Sequence, residues 1–212
     1  MKKARIGLVA GFTGAGKTTY IRDVLLKDIS DEKITILQNE IGKVILQDAD
    51  SLKYGWKLRQ IQEGCLCCGG SRFFLRDLKN ILEQDQPDRI LIELSGTARL
   101  DEVRKLLSQE EITSLIGTIR YDYLLDLTDF EKREMISEIF LHRQLEYADR
   151  IICSKVSGCE EEKRKEIIQK IQSLQPFLPI IQEDWYMLTT DQRQKLFEEN
   201  GSRPVKMGSR RL

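Results

Sequence analysis

The segment Gly11-Phe12-Thr13-Gly14-Ala15-Gly16-Lys17-Thr18 constrains the fold of this chain more than any other stretch. It matches G-x-x-x-x-G-K-[ST], stands directly after the apolar run Ile6 to Ala10, and leads into Thr18 to Lys27, whose apolar residues fall on one side. A buried strand, a glycine-rich turn and a helix are expected in that order. The chemistry asks for this arrangement. Glycines let successive backbone N–H groups curl around phosphate oxygens, and the following helix points the positive end of its dipole at them. Lys17 would reach the β and γ oxygens, and Thr18 would ligate magnesium. The plain alternative is a glycine-rich turn with a solvated lysine.

The rest of the chain alternates in the same manner. Strands are expected in "KITILQNE", "KLRQIQ", "RILIELSG", "SLIGTIRYDYLLDL", "RIICSK" and "LPII". Helices are expected in "SRFFLRDLKNILEQ", which stops before Pro87, in "LDEVRKLLSQ", from Asp129 to Tyr147, in "EEEKRKEIIQKIQSL" and from Thr190 to Glu199. The pattern predicts an α/β fold of three layers, a mostly parallel sheet with helices on both faces, whose active groups gather at the carboxyl ends of the strands. A chain of 212 residues suits a single domain, taken as residues 1–200, with a basic tail at 201–212 expected to be mobile.

Two further stretches carry chemistry. "ILIELSG" ends a buried strand in Glu93, a carboxylate able to order the water shell of magnesium, followed by Gly96, whose amide can serve the γ-phosphate. An ordinary strand-end acid is the bland reading of Glu93. "GCLCCGG" puts three of the five cysteines, Cys65, Cys67 and Cys68, between glycines that leave the backbone free to wrap an ion. Thiolates suit zinc or copper(I), and three ligands leave a fourth tetrahedral position open for exchange. Buried apolar cysteines or a disulfide are the alternatives, the latter strained between the adjacent Cys67 and Cys68. Cys153, on a core strand, reads as packing, and Cys159 and the lone His142 stand too far away to assign.

Charge and hydropathy narrow the partners. Lys and Arg number 34 and Asp and Glu 34, so no excess points to nucleic acid or to an anionic membrane. The amino-terminal run is broken by glycines and lacks a signal-peptide cleavage site, and no stretch approaches the roughly 20 apolar residues of a membrane span. A cytoplasmic protein is expected, and there clustered cysteines bind metal more often than they form bridges.

"GFTGAGKTT", "QNEIG", "GCLCC" and "ELSG", in that order, resemble the CobW-like family of P-loop GTPases, proteins tied to metal homeostasis and cobalamin assembly. The resemblance runs from about Arg5 through "QLEYADRIICSK" and leaves no room for the carboxyl-terminal domain of longer members. It implies a magnesium–GTP site coupled to a C-x-C-C transition-metal site, usually zinc. Gly14, Ala15, Gly16, Lys17, Thr18 and Thr19 would hold phosphates and magnesium. Asn39 and Glu40 would form the switch that feels the γ-phosphate, Glu40 also serving magnesium. Cys65, Cys67 and Cys68 would bind zinc, and Lys17, Glu40 and Glu93 would carry catalysis. Two departures stand out. Lys43 follows "NEIG" where the family has glutamate, and the guanine-reading N-K-x-D is replaced by Ser154-Lys155-Val156-Ser157, which keeps only Lys155. A serine hydroxyl cannot make the bidentate contact of an aspartate, so guanine preference is expected to weaken and ATP becomes admissible.

The leading expectation is a metal-responsive GTP hydrolase that senses or delivers zinc or a related ion to a client metalloprotein, with a homodimer admissible. A P-loop kinase for a small metabolite, which would need a basic lid where "EKREMISEIFLHRQ" has the charges but reads as one regular helix with a solvated face, and a non-hydrolysing nucleotide or metal sensor are the competing readings.

Overall fold

The computed structural model describes residues 3–27, 32–38, 56–60, 71–199 and 203–204. Asn39, Glu40, Lys43, Cys65, Cys67 and Cys68 lie outside these residues.

The strands are β1 (Ala4–Ala10), β2 (Ile34–Gln38), β3 (Lys57–Gln60), β4 (Arg89–Glu93), β5 (Ile116–Asp126), β6 (Arg150–Ser154), β7 (Ile180–Ile181) and β8 (Arg203–Pro204). They order as β3-β2-β4-β1-β5-β6-β7, all parallel, and β8 pairs antiparallel with β5 through Thr118 and Ile119. Arg203 and Pro204 of the basic tail thus lie on the sheet. The helices are α1 (Lys17–Tyr20, continued over Ile21–Leu25), α2 (Ser71–Asn80, continued over Ile81–Asp85), α3 (Leu100–Leu107), α4 (Glu110–Thr113), α5 (Phe130–Tyr147), α6 (Glu161–Leu174) and α7 (Thr190–Glu199). No helix among the described residues is long and apolar enough to cross a membrane.

The continuous apolar runs of the central strands follow from burial on both faces. Along β1, Ile6, Leu8 and Ala10 enter one core layer and Val9 the other. The first layer holds Leu78, Val103, Ile112, Leu141 and Ile167 of α2 to α6. The second holds Tyr20, Val24 and Leu25 of α1 with Leu196 and Phe197 of α7. Cys153 is fully buried in the first layer, as its strand position predicts, and burial pushes its thiol up to about 12. His142 is exposed.

Two features depart from periodicity. The second halves of α1 and α2 run in wide turns, with Leu26 N–H donating to Ile21 O at 3.0 Å and Gln86 N–H to Ile81 O at 3.2 Å. Two fully buried arginines meet the last turn of α7. Arg150 grips Asp122 through two 2.8 Å bonds and donates to Leu196 O at 2.9 Å, while Arg89 donates to Phe197 O at 2.6 Å and lies 3.8 Å over the Phe197 ring. These cations satisfy carbonyls that a helix end leaves without intrahelical donors and complement its negative pole.

Candidate functional site

β2 and β5 flank the β4–β1 pair, so the chain departs in both directions from the centre of the sheet, and the crevice at the carboxyl end of β1 is where an open α/β sheet binds ligands. Residues 11–16 fill that crevice. Gly14 and Gly16 are left-handed, with φ 85° and 90°, and Gly16 is the residue from which α1 starts. Ala15 is buried, its N–H donating to Phe12 O at 3.1 Å, whereas Thr13 and Gly14 face solvent. Thr19 is half-buried on the first turn of α1.

Lys17 is only 3 % exposed and donates from Nζ to Gly11 O at 3.1 Å and Phe12 O at 3.2 Å. Its charge is held over the loop that would receive phosphate. Register brings the acid to the same level, because Gln38, Glu93 and Val9 are paired across β2, β4 and β1. The Glu93 carboxylate is buried, accepting from Thr18 Oγ1 at 2.5 Å on one oxygen and from Gln38 Nε2 at 2.8 Å on the other. Charge-assisted bonds of this kind offset the desolvation of a buried carboxylate. Since a hydroxyl has one proton and two lone pairs, the bond to Glu93 leaves the acceptor side of Thr18 for a cation.

Gly96 packs edge-on against the loop, where an added Cβ would stand 2.4 Å from both Thr13 N and Thr13 Oγ1. Its glycine identity is a matter of close approach. Gly96→Ala is expected to displace Thr13 and weaken nucleotide binding about tenfold, the equivalent of modest overpacking. Titration beside an unfolding curve checks this, and unchanged affinity would show that the loop yields without cost.

Lys155 stands on the other side of β1, at the end of β6, in a left-handed conformation (φ 55°), and its ammonium pairs with Asp126 at the end of β5. Asp126 also accepts from Thr128 N at 3.0 Å and Thr128 Oγ1 at 2.7 Å. Ser154 is buried, its hydroxyl directed at Leu125 O at 3.3 Å, and Ser157 is exposed. The segment "EKREMISEIFLHRQ" lies within the single helix α5, the regular helix that its sequence predicts.

The structure therefore gathers Gly14, Ala15, Gly16, Lys17, Thr18, Glu93 and Gly96, and sets Lys155 apart on the β5–β6 side. Sequence reasoning missed three neighbours. Gln38 carried a signal, a polar residue ending an apolar strand. Asp126 likewise ends a strand in an acid. Trp185 carried none: it sits in a short turn after β7, donates from Nε1 to Cys153 O at 2.7 Å, and brings its ring so near Gly16 that a Cβ there would be 3.0 Å from Cη2.

Comparison with known proteins bears on this arrangement. Residues 5–182 match the model of the CobW/HypB/UreG nucleotide-binding domain. The chain is similar to the zinc chaperone YeiR of Escherichia coli strain K12, 32% identical over 151 residues that cover 71% of this chain and 46% of YeiR. It is also similar to the zinc chaperone YjiA of the same organism, 30% identical over 193 residues covering 87% of this chain and 59% of YjiA. A crystal structure of the zinc(II)-bound YjiA GTPase from E. coli shares the fold, with a TM-score of 0.67 at 23% identity over 99% of this chain and 67% of that one. The chain thus spans about half the length of the relatives it matches, 46% of one and 59% of the other.

Proposed function

Because this chain belongs to the CobW/HypB/UreG nucleotide-binding domain family, we propose that it is a metal-responsive GTP hydrolase that couples nucleotide turnover to the binding, sensing or transfer of zinc. One observation carries the reading. The buried carboxylate of Glu93 bonds at once to Thr18 of the phosphate loop and to Gln38, the residue that runs directly into Asn39 and Glu40.

In this reading Lys17 leaves the carbonyls of Gly11 and Phe12 for the β and γ oxygens, and the amides of residues 14–19 cradle the phosphates. Thr18 keeps its proton on Glu93 and offers its lone pairs outward, with Glu40 as a further magnesium ligand. Magnesium arriving with the nucleotide would neutralise charge on the phosphates. A change in the occupancy of Thr18 is passed through Glu93 to Gln38 and so to the start of the Asn39–Glu40 segment, an order–release device of the kind that γ-phosphate drives elsewhere. Cys65, Cys67 and Cys68 follow that segment, and soft thiolates suit zinc as cargo for a client metalloprotein. The similarity to two zinc chaperones supports this choice of metal.

Phosphate release from GTP, measured on the full chain with and without zinc, tests the proposal. Zinc is expected to change the turnover severalfold. Turnover indifferent to zinc, or phosphate found on an added small-molecule acceptor, would count against it.

A further inference from the structure

In the short turn after β7 only Trp185 faces inward. It is 8% exposed, whereas Tyr186 and Met187 beside it are 77% and 80% exposed, and the Asp184 carboxylate accepts from Tyr186 N–H at 3.1 Å to close the turn. The indole ties separate parts of the molecule together. Its Nε1 donates to Cys153 O at 2.7 Å, one residue beyond Ile152, the last of β6 to pair with β7. The ring meets Tyr20 of α1 edge-on, with 5.4 Å between centroids and planes at 60°. Its far edge, Cη2 and Cζ3, stands 3.0 and 3.3 Å from where a Cβ on Gly16 would be.

The ring therefore fills the space in which residue 16 would carry a side chain. Gly16 is left-handed at φ 90°, and its carbonyl accepts the first bond of α1 from Tyr20 N–H at 2.8 Å. Close-packed groups resist compression, so the loop cannot retreat toward Trp185, and the bond to Cys153 O keeps the indole from swinging away. Lys17 now ties the start of the loop to itself through the carbonyls of Gly11 and Phe12, a tie that is lost when the ammonium turns to phosphate. We propose that Trp185 is a positioning residue for the phosphate loop, a brace behind Gly16 that keeps the loop amides aimed once Lys17 has left those carbonyls; the inference rests on the nucleotide-binding reading above. Phosphate is common to GDP, GTP and ATP, and the amides hold it in ground and transition state alike. The brace thus acts on affinity, and neither on turnover nor on the choice of base.

Trp185→Phe and Trp185→Leu in the full chain test the role beside Leu196→Ala, a change in the same core layer but at the Arg150 end of β6. Phenylalanine keeps a ring for Tyr20 and lacks the N–H and the far edge, while leucine keeps apolar bulk alone. Affinity for GDP is expected to fall about tenfold with phenylalanine and further with leucine, as a misaligned cradle requires. The kcat at saturating GTP stays within about twofold of wild type, and the GTP:ATP affinity ratio does not move. Leu196→Ala lowers the urea midpoint and leaves GDP affinity alone. The chain has two tryptophans, so Trp56→Phe makes Trp185 the sole indole emitter, and its emission shifts when GDP binds. Wild-type GDP affinity in Trp185→Phe, emission unmoved by GDP, or an equal loss of affinity in Leu196→Ala overturns the brace while leaving the hydrolase reading intact. Failure of wild type to bind either GDP or GTP overturns both.

Discussion

Lys17→Ala and Lys17→Met are each expected to abolish tight nucleotide binding while leaving a folded protein. The ammonium now bonds to the carbonyls of Gly11 and Phe12, and in the complex it would instead meet the β and γ oxygens. A hydrogen bond to a charged group is worth roughly 1.5–3 kcal/mol, so losing two of them weakens binding by roughly a hundredfold or more. The fold should tolerate the change. Phe12 O still accepts from Ala15 N–H at 3.1 Å, and the methionine variant keeps the buried stem. Titration with labelled GTP and a urea unfolding curve, run side by side, separate the two effects. Wild-type affinity in the methionine variant would refute the assignment of Lys17 to phosphate.

The second large effect concerns zinc. Wild type is expected to bind about one zinc per chain through Cys65, Cys67 and Cys68, with a fourth position open to water or a partner. Changing all three to serine should remove it, since a serine hydroxyl stays protonated and is a poor ligand for a borderline-soft ion. GTP binding should survive, because the phosphate loop and Glu93 come from other segments, whereas the response of hydrolysis to zinc should vanish. Metal content after dialysis, read with turnover, decides the matter. Stoichiometric zinc in the triple variant would move the site elsewhere, and a wild type that never holds zinc would leave the cysteines without this role.

The sequence by itself determined the layered α/β architecture, because strands buried on both faces must read as apolar runs and the helices between them as one-sided stripes. It also determined the phosphate loop, since a local cradle of backbone amides is written by local residues. Even Glu93 was legible as an acid ending a buried strand, and Gly96 as the glycine beyond it. Tertiary structure decided what depends on distant residues coming level. The bond from Gln38 to Glu93 needs β2 and β4 paired in register across 55 residues of sequence. Arg89 and Arg150 look like solvated strand-start charges in sequence, yet each is buried because the carbonyls at the end of α7 and the carboxylates of Glu32 and Asp122 meet them there. Trp185 comes to rest on Gly16 only because β7 and β6 end side by side. Hydrophobic period and turn chemistry are properties of neighbours along the chain, whereas the partners of a buried polar group are neighbours in space.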